Sequence, residues 1–103
     1  MPDPTYRLRF TKHAAQQKAA VDGSDTKRAK KLTKILGQIQ TKPTTYPGLN
    51  SHKVPMLKGA GPNGEAMWES YVENKTPGAW RVFWYFDSAI RGDIVVTSIE
   101  AHS

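Results

Sequence analysis

Tyr6, Leu8 and Phe10 alternate with Arg7 and Arg9, the period of a half-buried strand. Thr11 then offers an N-cap for an alanine-rich, weakly amphipathic helix over about residues 12–22, ended by Asp22-Gly23. Ser24, Asp25 and Thr26 offer a second N-cap. Beyond them Ala29, Leu32, Ile35, Leu36 and Ile39 recur at helical spacing, and Pro43 stops the stripe. The two segments predict a helical hairpin with a short connection. Pro43, Pro47 and Gly48 make 43–51 a loop. His52 to Lys58 is expected as a short, irregular strand, with Pro55 arguing for an edge or a bulge. Gly59 to Gly64 reads as a turn. Met67 to Glu73 alternates, with Trp68, Ser70 and Val72 opposite Glu69, Tyr71 and Glu73. A turn at Thr76-Pro77-Gly78 leads into Trp80 to Phe86, the strongest strand signal in the chain. After a loop over Asp87 to Asp93, Ile94 to Ile99 is a mostly apolar strand, expected near the centre of the sheet.

Strand, helix, helix, then a meander of strands predicts an α+β fold. The N-terminal strand and helix hairpin pack on one face of a four- or five-stranded, mainly antiparallel sheet. The expected core is Leu8, Phe10, Leu32, Leu36, Ile39, Val82, Trp84, Ile94 and Val96. At 103 residues the chain has room for one domain, 1–103, and one core. No apolar run reaches the roughly 18–20 residues of a membrane span, and no charged-then-apolar leader opens the chain. The expectation is therefore a cytoplasmic protein with no membrane partner. The absence of cysteine excludes disulfides and thiolate chemistry.

Charge changes the picture more than composition does. The net charge is +6, but it is uneven. Residues 1–58 hold twelve Lys or Arg against three Asp, a balance of +9; residues 59–103 hold three basic and six acidic residues, a balance of −3. Such a one-sided field suits a polyanionic partner, and it equally suits a solvated basic face. Lys27, Arg28, Lys30, Lys31 and Lys34 lie opposite the apolar stripe of the second helix. They are candidate contacts to RNA phosphates, with a plain solvated surface as the competing reading. On the strong strand, parity puts Val82, Trp84 and Phe86 toward the helices and Arg81, Phe83 and Tyr85 on a bare face. An arginine among aromatics can hold phosphate and stack bases, and it is also ordinary interface chemistry. The three histidines, His13, His52 and His102, have no metal-ligand spacing, so no metal or other cofactor is expected.

This order of elements, with particular residues, resembles the RelE/ParE superfamily of bacterial type II toxins over nearly the whole chain. Leu57-Lys58-Gly59 is similar to the family's leucine-x-glycine turn. Met67-Trp68-Glu69 followed by Trp80-Arg81-Val82-Phe83-Trp84-Tyr85 resembles its central hairpin, and Ile99-Glu100-Ala101-His102-Ser103 resembles the YoeB-type ending. The resemblance implies a metal-independent endoribonuclease that cuts messenger RNA, typically on the ribosome, and is held inactive by a cognate acidic antitoxin. Such cleavage needs a base for the 2′-hydroxyl, a cation for the phosphate and an acid for the leaving oxygen. Carried over by position, Arg81 is the phosphate-holding arginine and His102 the general acid. The strand carrying the YoeB-type general base, a glutamate, corresponds to His52–Lys58, where this chain has no carboxylate: either His52 or Lys53 replaces the base, or the base is elsewhere, or activity is reduced. Glu69, expected to share a face with Arg81, is a substitute, either as base or to orient the arginine. A second departure is Ser103, where YoeB-type toxins end in tyrosine. Lys58 and Tyr85 complete the candidate RNA contacts. Arg81 could also form a plain cross-strand ion pair with Glu69 or Glu73. Two other functions compete: a ParE-like toxin that inhibits gyrase by protein contact, and a non-catalytic nucleic-acid-binding domain.

Overall fold

The computed structural model describes residues 5–57, 59–73 and 78–101. Five strands and two helices follow in the order β1 (Arg7–Phe10), α1 (Lys12–Ser24), α2 (Thr26–Thr41), β2 (His52–Lys53), β3 (Trp68–Tyr71), β4 (Trp80–Phe86) and β5 (Asp93–Ala101). They form one sheet in the order β1-β5-β4-β3-β2. β1 runs parallel to β5, and every other pairing is antiparallel. This is the predicted α+β arrangement, with the helix hairpin on one face.

Side-chain chemistry sets the helix ends. The Thr11 hydroxyl accepts the Ala14 N–H at 3.1 Å and starts α1. Asp25 serves both helices. Its N–H closes α1 onto the Val21 carbonyl at 3.0 Å, and its carboxylate accepts the Arg28 N–H at 3.0 Å to open α2. One residue therefore replaces a connecting loop. α1 buries only Ala14 and Val21, whereas α2 buries Leu32, Ile35, Leu36 and Ile39, nearly all of its predicted stripe. Gln17 anchors α1 to the sheet by accepting the Ile99 N–H at 2.7 Å.

The main core lies between α2, α1 and the sheet and is centred on Trp84, which is fully buried. The Trp84 indole stacks on Trp68 at 5.4 Å, and its N–H donates to the Ser70 hydroxyl at 2.9 Å. Ser70 in turn pairs with Ser51 at 2.7 Å, so the buried polar atoms form a closed chain. Leu8 and Phe10 are half-buried and pack on this core.

Three expectations are corrected. The strand foreseen over His52–Lys58 shrinks to two residues, followed by a single 3-10 turn at Pro55–Leu57. Pro55 has no N–H to continue a ladder, which ends the pairing. The sheet face away from the helices is not bare. Met67, Tyr85 and Val95 are buried there in a second cluster against Phe83. Finally, β5 is longer than Ile94–Ile99 and contains a bulge. Phe83 pairs with Ser98 and Trp84 with Val96, so Thr97 is the extra residue. The bulge explains how Ile94 and Val96, even-numbered, share the core with odd-numbered Ile99. Of the turn at Thr76-Pro77-Gly78, only Gly78 falls within the described residues.

Candidate active site on the open sheet face

β3 and β4 present Glu69, Tyr71 and Arg81 on the face away from the helices, as their parity predicts. Tyr71 stands directly opposite Arg81 in the ladder, and Glu69 lies one diagonal step away. The edge pair β2–β3 sets His52 opposite Glu69. The four side chains close into one cluster. Glu69 Oε1 accepts from Arg81 Nη1 at 3.0 Å and from His52 Nε2 at 2.8 Å. The Arg81 guanidinium lies 4.4 Å from the Tyr71 ring centre, a cation–π contact. His52 meets the same ring edge-on at 5.8 Å.

Burial grades this cluster from inside to outside. The Glu69 side chain is 8% exposed, Arg81 12% and His52 47%, so the histidine forms the solvent rim. Arg81 Nε is buried without a hydrogen-bond partner among the described residues. His52 is held from both sides, because its Nδ1 faces the Asn50 carbonyl at 2.8 Å. A carbonyl and a carboxylate both accept, so the two bonds coexist only when both ring nitrogens carry protons. Asn50 itself sits at φ 50°, a left-handed conformation that asparagine tolerates better than most residues.

Glu69 and Arg81 thus share a face and touch, and His52 joins them. Lys53, the other basic candidate on β2, does not. It pairs with Trp68, whose side chain faces the helices, and its ammonium lies 5.7 Å from that indole ring. Tyr85, foreseen as a base-stacking residue, is 7% exposed and packs with Met67 and Val95, which leaves its ring face covered. Burial pushes its hydroxyl pKa up, with the charges of Glu65 and Asp87 adding to the effect. Lys58 and His102 lie outside the described residues. The last described residue, Ala101, pairs with Trp80 beside Arg81. Sequence reasoning alone did not single out Tyr71, Asn50 or Glu100. Tyr71 alternates with Glu69, so parity already marked it. Glu100 reaches the ladder position opposite Arg81 only through the Thr97 bulge.

The basic helix divides in two. Lys27, Lys30 and Lys34 are exposed and form no ion pair among the described residues. Arg28 and Lys31 are turned to internal duty. Arg28 bridges Asp25 at 3.0 Å and Glu73 at 3.4 Å and covers the Trp80 ring at 4.9 Å, while Lys31 lies 3.8 Å from Glu73. A separate charge cluster fastens the parallel edge. Arg7 holds Asp93 at 2.7 Å, and Arg9 reaches both Asp93 and Asp87. The Arg7 hydrogen bond, against the opposing effect of burial, keeps the Asp93 pKa below its ordinary value. No group of three or more His, Asp or Glu among the described residues is placed to hold a metal ion. No helix among them is long and apolar enough to cross a membrane.

This chain shares the fold of the RelE/ParE superfamily toxins. It is similar to a YoeB/ParE toxin from Agrobacterium tumefaciens, with a TM-score of 0.70 and 11% identity over 94% of this chain and 99% of that one. The YoeB of a dimer from Staphylococcus aureus superposes with a TM-score of 0.68 at 14% identity, covering 96% and 99%. RelE-RelB from Pyrococcus horikoshii OT3, an archaeal complex, gives 0.65 at 11% identity over 94% of each chain. No protein-family model and no curated protein matches the sequence.

Proposed function

We propose that this chain, acting as a single domain, is the toxin of a type II toxin–antitoxin pair and that it cleaves messenger RNA on the ribosome. One observation carries the reading: on a fold shared with YoeB and RelE, a single carboxylate oxygen, Glu69 Oε1, gathers Arg81 at 3.0 Å and His52 at 2.8 Å at the rim of the open face. The histidine stands next to a carboxylate in β3, which compensates for the carboxylate missing from the β2 segment.

The roles follow from the chemistry. Arg81 is permanently charged and forked, so it can hold two phosphate oxygens as charge builds on them. With a proton on Nδ1 held by the Asn50 carbonyl, His52 Nε2 has a lone pair for the 2′-hydroxyl proton. The 2′-oxygen bonds to phosphorus and the bond to the 5′-oxygen breaks, leaving a cyclic phosphate. The N–H so formed on Nε2 can donate to Glu69 Oε1, which lies 2.8 Å from it. Glu69, buried and bonded to Arg81 and His52, is a positioning residue for both. The leaving 5′-oxygen needs an acid. His102 is assigned that role: it is covalently one residue beyond Ala101, which pairs beside Arg81.

Single-turnover cleavage on programmed ribosomes tests these roles. Arg81→Ala should abolish most cleavage, and Arg81→Lys should restore little, because an ammonium does not fork. His52→Ala should cost about 10²–10⁴-fold, the contribution of a positioned proton-transfer group. Removing 102–103 should cost a similar factor and remove one limb of the pH profile. Full activity in Arg81→Ala would overturn the assignment. Induction in cells that damages DNA while messages stay intact would establish the gyrase-directed reading instead.

A further inference from the structure

A cavity of about 410 Å³ opens beside this cluster, between the C-terminal half of α2 and the sheet edge. Lys34, Gln38, Asn50, Tyr71 and Glu73 are among the residues that line it. Its size falls in the roughly 300–1,000 Å³ range of small-molecule sites. Two of its walls are shared with the active site. Tyr71 carries the Arg81 guanidinium at 4.4 Å, and Asn50 offers its carbonyl to His52 at 2.8 Å. The cavity and the Arg81 cluster thus have two residues in common.

The lining has the chemistry of a nucleotide site. Gln38 and Asn50 each carry an amide with both donors and an acceptor, the group that reads base edges. The charge of Glu73 is already met, since it accepts from Arg28 at 3.4 Å and from the Trp80 N–H at 3.2 Å and lies 3.8 Å from Lys31. Lys34 has no carboxylate within ion-pair distance among the described residues, so it is the cation left for a phosphate.

We infer that this cavity is a nucleotide subsite of the RNA substrate: it takes the nucleotide flanking the scissile phosphate, with its outer phosphate on Lys34 and its base edge on Gln38 and Asn50. The inference rests on the RNA-cleaving reading and names where sequence preference would be read. It divides the basic helix by role. Lys34 grips the substrate strand, Lys27 and Lys30 face elsewhere, and Gln38 discriminates among bases.

The four ribonucleoside 3′,5′-bisphosphates are the probes. Each is a single nucleotide with phosphates on both flanks, and none contains a bond to cleave. Titrated into the full chain and followed by amide NMR, they should shift the signals of Lys34, Gln38, Gly48 and Tyr71. One base should bind at least about fivefold more tightly than another, the lower end of discrimination by a good amide–base pair. Lys34→Ala should weaken all four by about three- to tenfold and leave their ratio unchanged. Gln38→Ala should collapse the ratio. Both substitutions are at helix surface positions and leave the α2 core stripe intact. Shifts absent from the lining, or four bases binding no better than inorganic pyrophosphate, would overturn the proposal. So would an oligoglutamate peptide that occupies the cavity when the bisphosphates do not. A chain that binds the bisphosphates yet cuts no message keeps the nucleotide subsite and sinks the ribonuclease reading. One that cuts messages without signals from the cavity sinks the subsite alone.

Discussion

Ser70 shows how much one small polar residue can hold. Its hydroxyl accepts the Trp84 indole N–H at 2.9 Å and meets Ser51 at 2.7 Å, at a site with no solvent exposure. Ser70→Ala leaves the indole N–H buried and unpaired, so it should cost about 1–3 kcal/mol in a denaturant titration. A loss within error of zero would mean that the indole finds another acceptor. Glu65 acts through pH. Partial burial raises its pKa, but the backbone N–H groups of Asn63 and Ser88 and the Ser88 hydroxyl outweigh that and hold it at about 2. A carboxylate whose pKa is lower in the folded chain than its ordinary 4.5 stabilises the fold above that value and loses the contribution as pH falls toward 2. The unfolding midpoint of the native chain should therefore fall with acid across that window more steeply than that of Glu65→Gln. Parallel curves would remove Glu65 from the acid response.

The bulge in β5 is the element-scale feature on which the site depends. Thr97 adds one residue between Val96 and Ser98, which lets Ile99 return to the core and carries Glu100 to the position opposite Arg81. Its hydroxyl donates to the Phe83 carbonyl at 3.2 Å, and its own carbonyl accepts from the Thr11 hydroxyl at 3.2 Å. Deleting Thr97 makes the ladder regular and keeps every core residue on its face, so the chain should still fold, with a loss of about 2 kcal/mol for two hydrogen bonds. Deleting Val95 instead puts one side of β5 out of register and turns Ile94 away from the core, so that variant should not fold. Thermal melts of the two deletions check this. Equal damage from both would mean that Thr97 is not the extra residue.

For the whole molecule, the charge imbalance between the two parts of the chain resolves into surfaces with different tasks. Arg7, Arg9, Arg28 and Lys31 pair with Asp93, Asp87 and Glu73 of the second part, so part of the basic excess of residues 1–58 is neutralised within the fold. On α2, Lys27, Lys30 and Lys34 have no carboxylate partner among the described residues. On the proposed ribosome-bound role, neutralising these three should weaken that binding and lower its salt slope by about one for each phosphate no longer held. Neutralising Arg28 and Lys31 should mainly lower stability. Ribosome binding as a function of salt, measured beside a thermal melt, separates the two sets. Weaker binding from the second set at unchanged stability would reverse the assignment.

Hydrophobic period and turn chemistry made most of the architecture legible in the sequence. The stripe Leu32, Ile35, Leu36 and Ile39 declared α2, Thr11 and the run Ser24-Asp25-Thr26 declared the caps, and alternation along Trp80–Phe86 placed Arg81 on the face opposite Trp84. Those are local properties: a side chain's direction in a helix or a straight strand follows from its position alone. Parity likewise put Glu69, Tyr71 and Arg81 on one face. Everything set by contacts between distant segments lay beyond that reach. The covering of Tyr85 by Met67 needed the packed face, and the division of the basic helix needed the position of Glu73 beside Arg28 and Lys31. The bulge at Thr97 reverses parity without leaving a local mark, because Ile94–Ile99 is apolar on both faces. The meeting of His52 with Glu69 depended on a two-residue edge pairing that Pro55 cuts short. Which face each strand presents is written in the order of its residues; which residues on those faces touch is settled in the folded chain, because pairing register and burial arise from segments that meet across the fold.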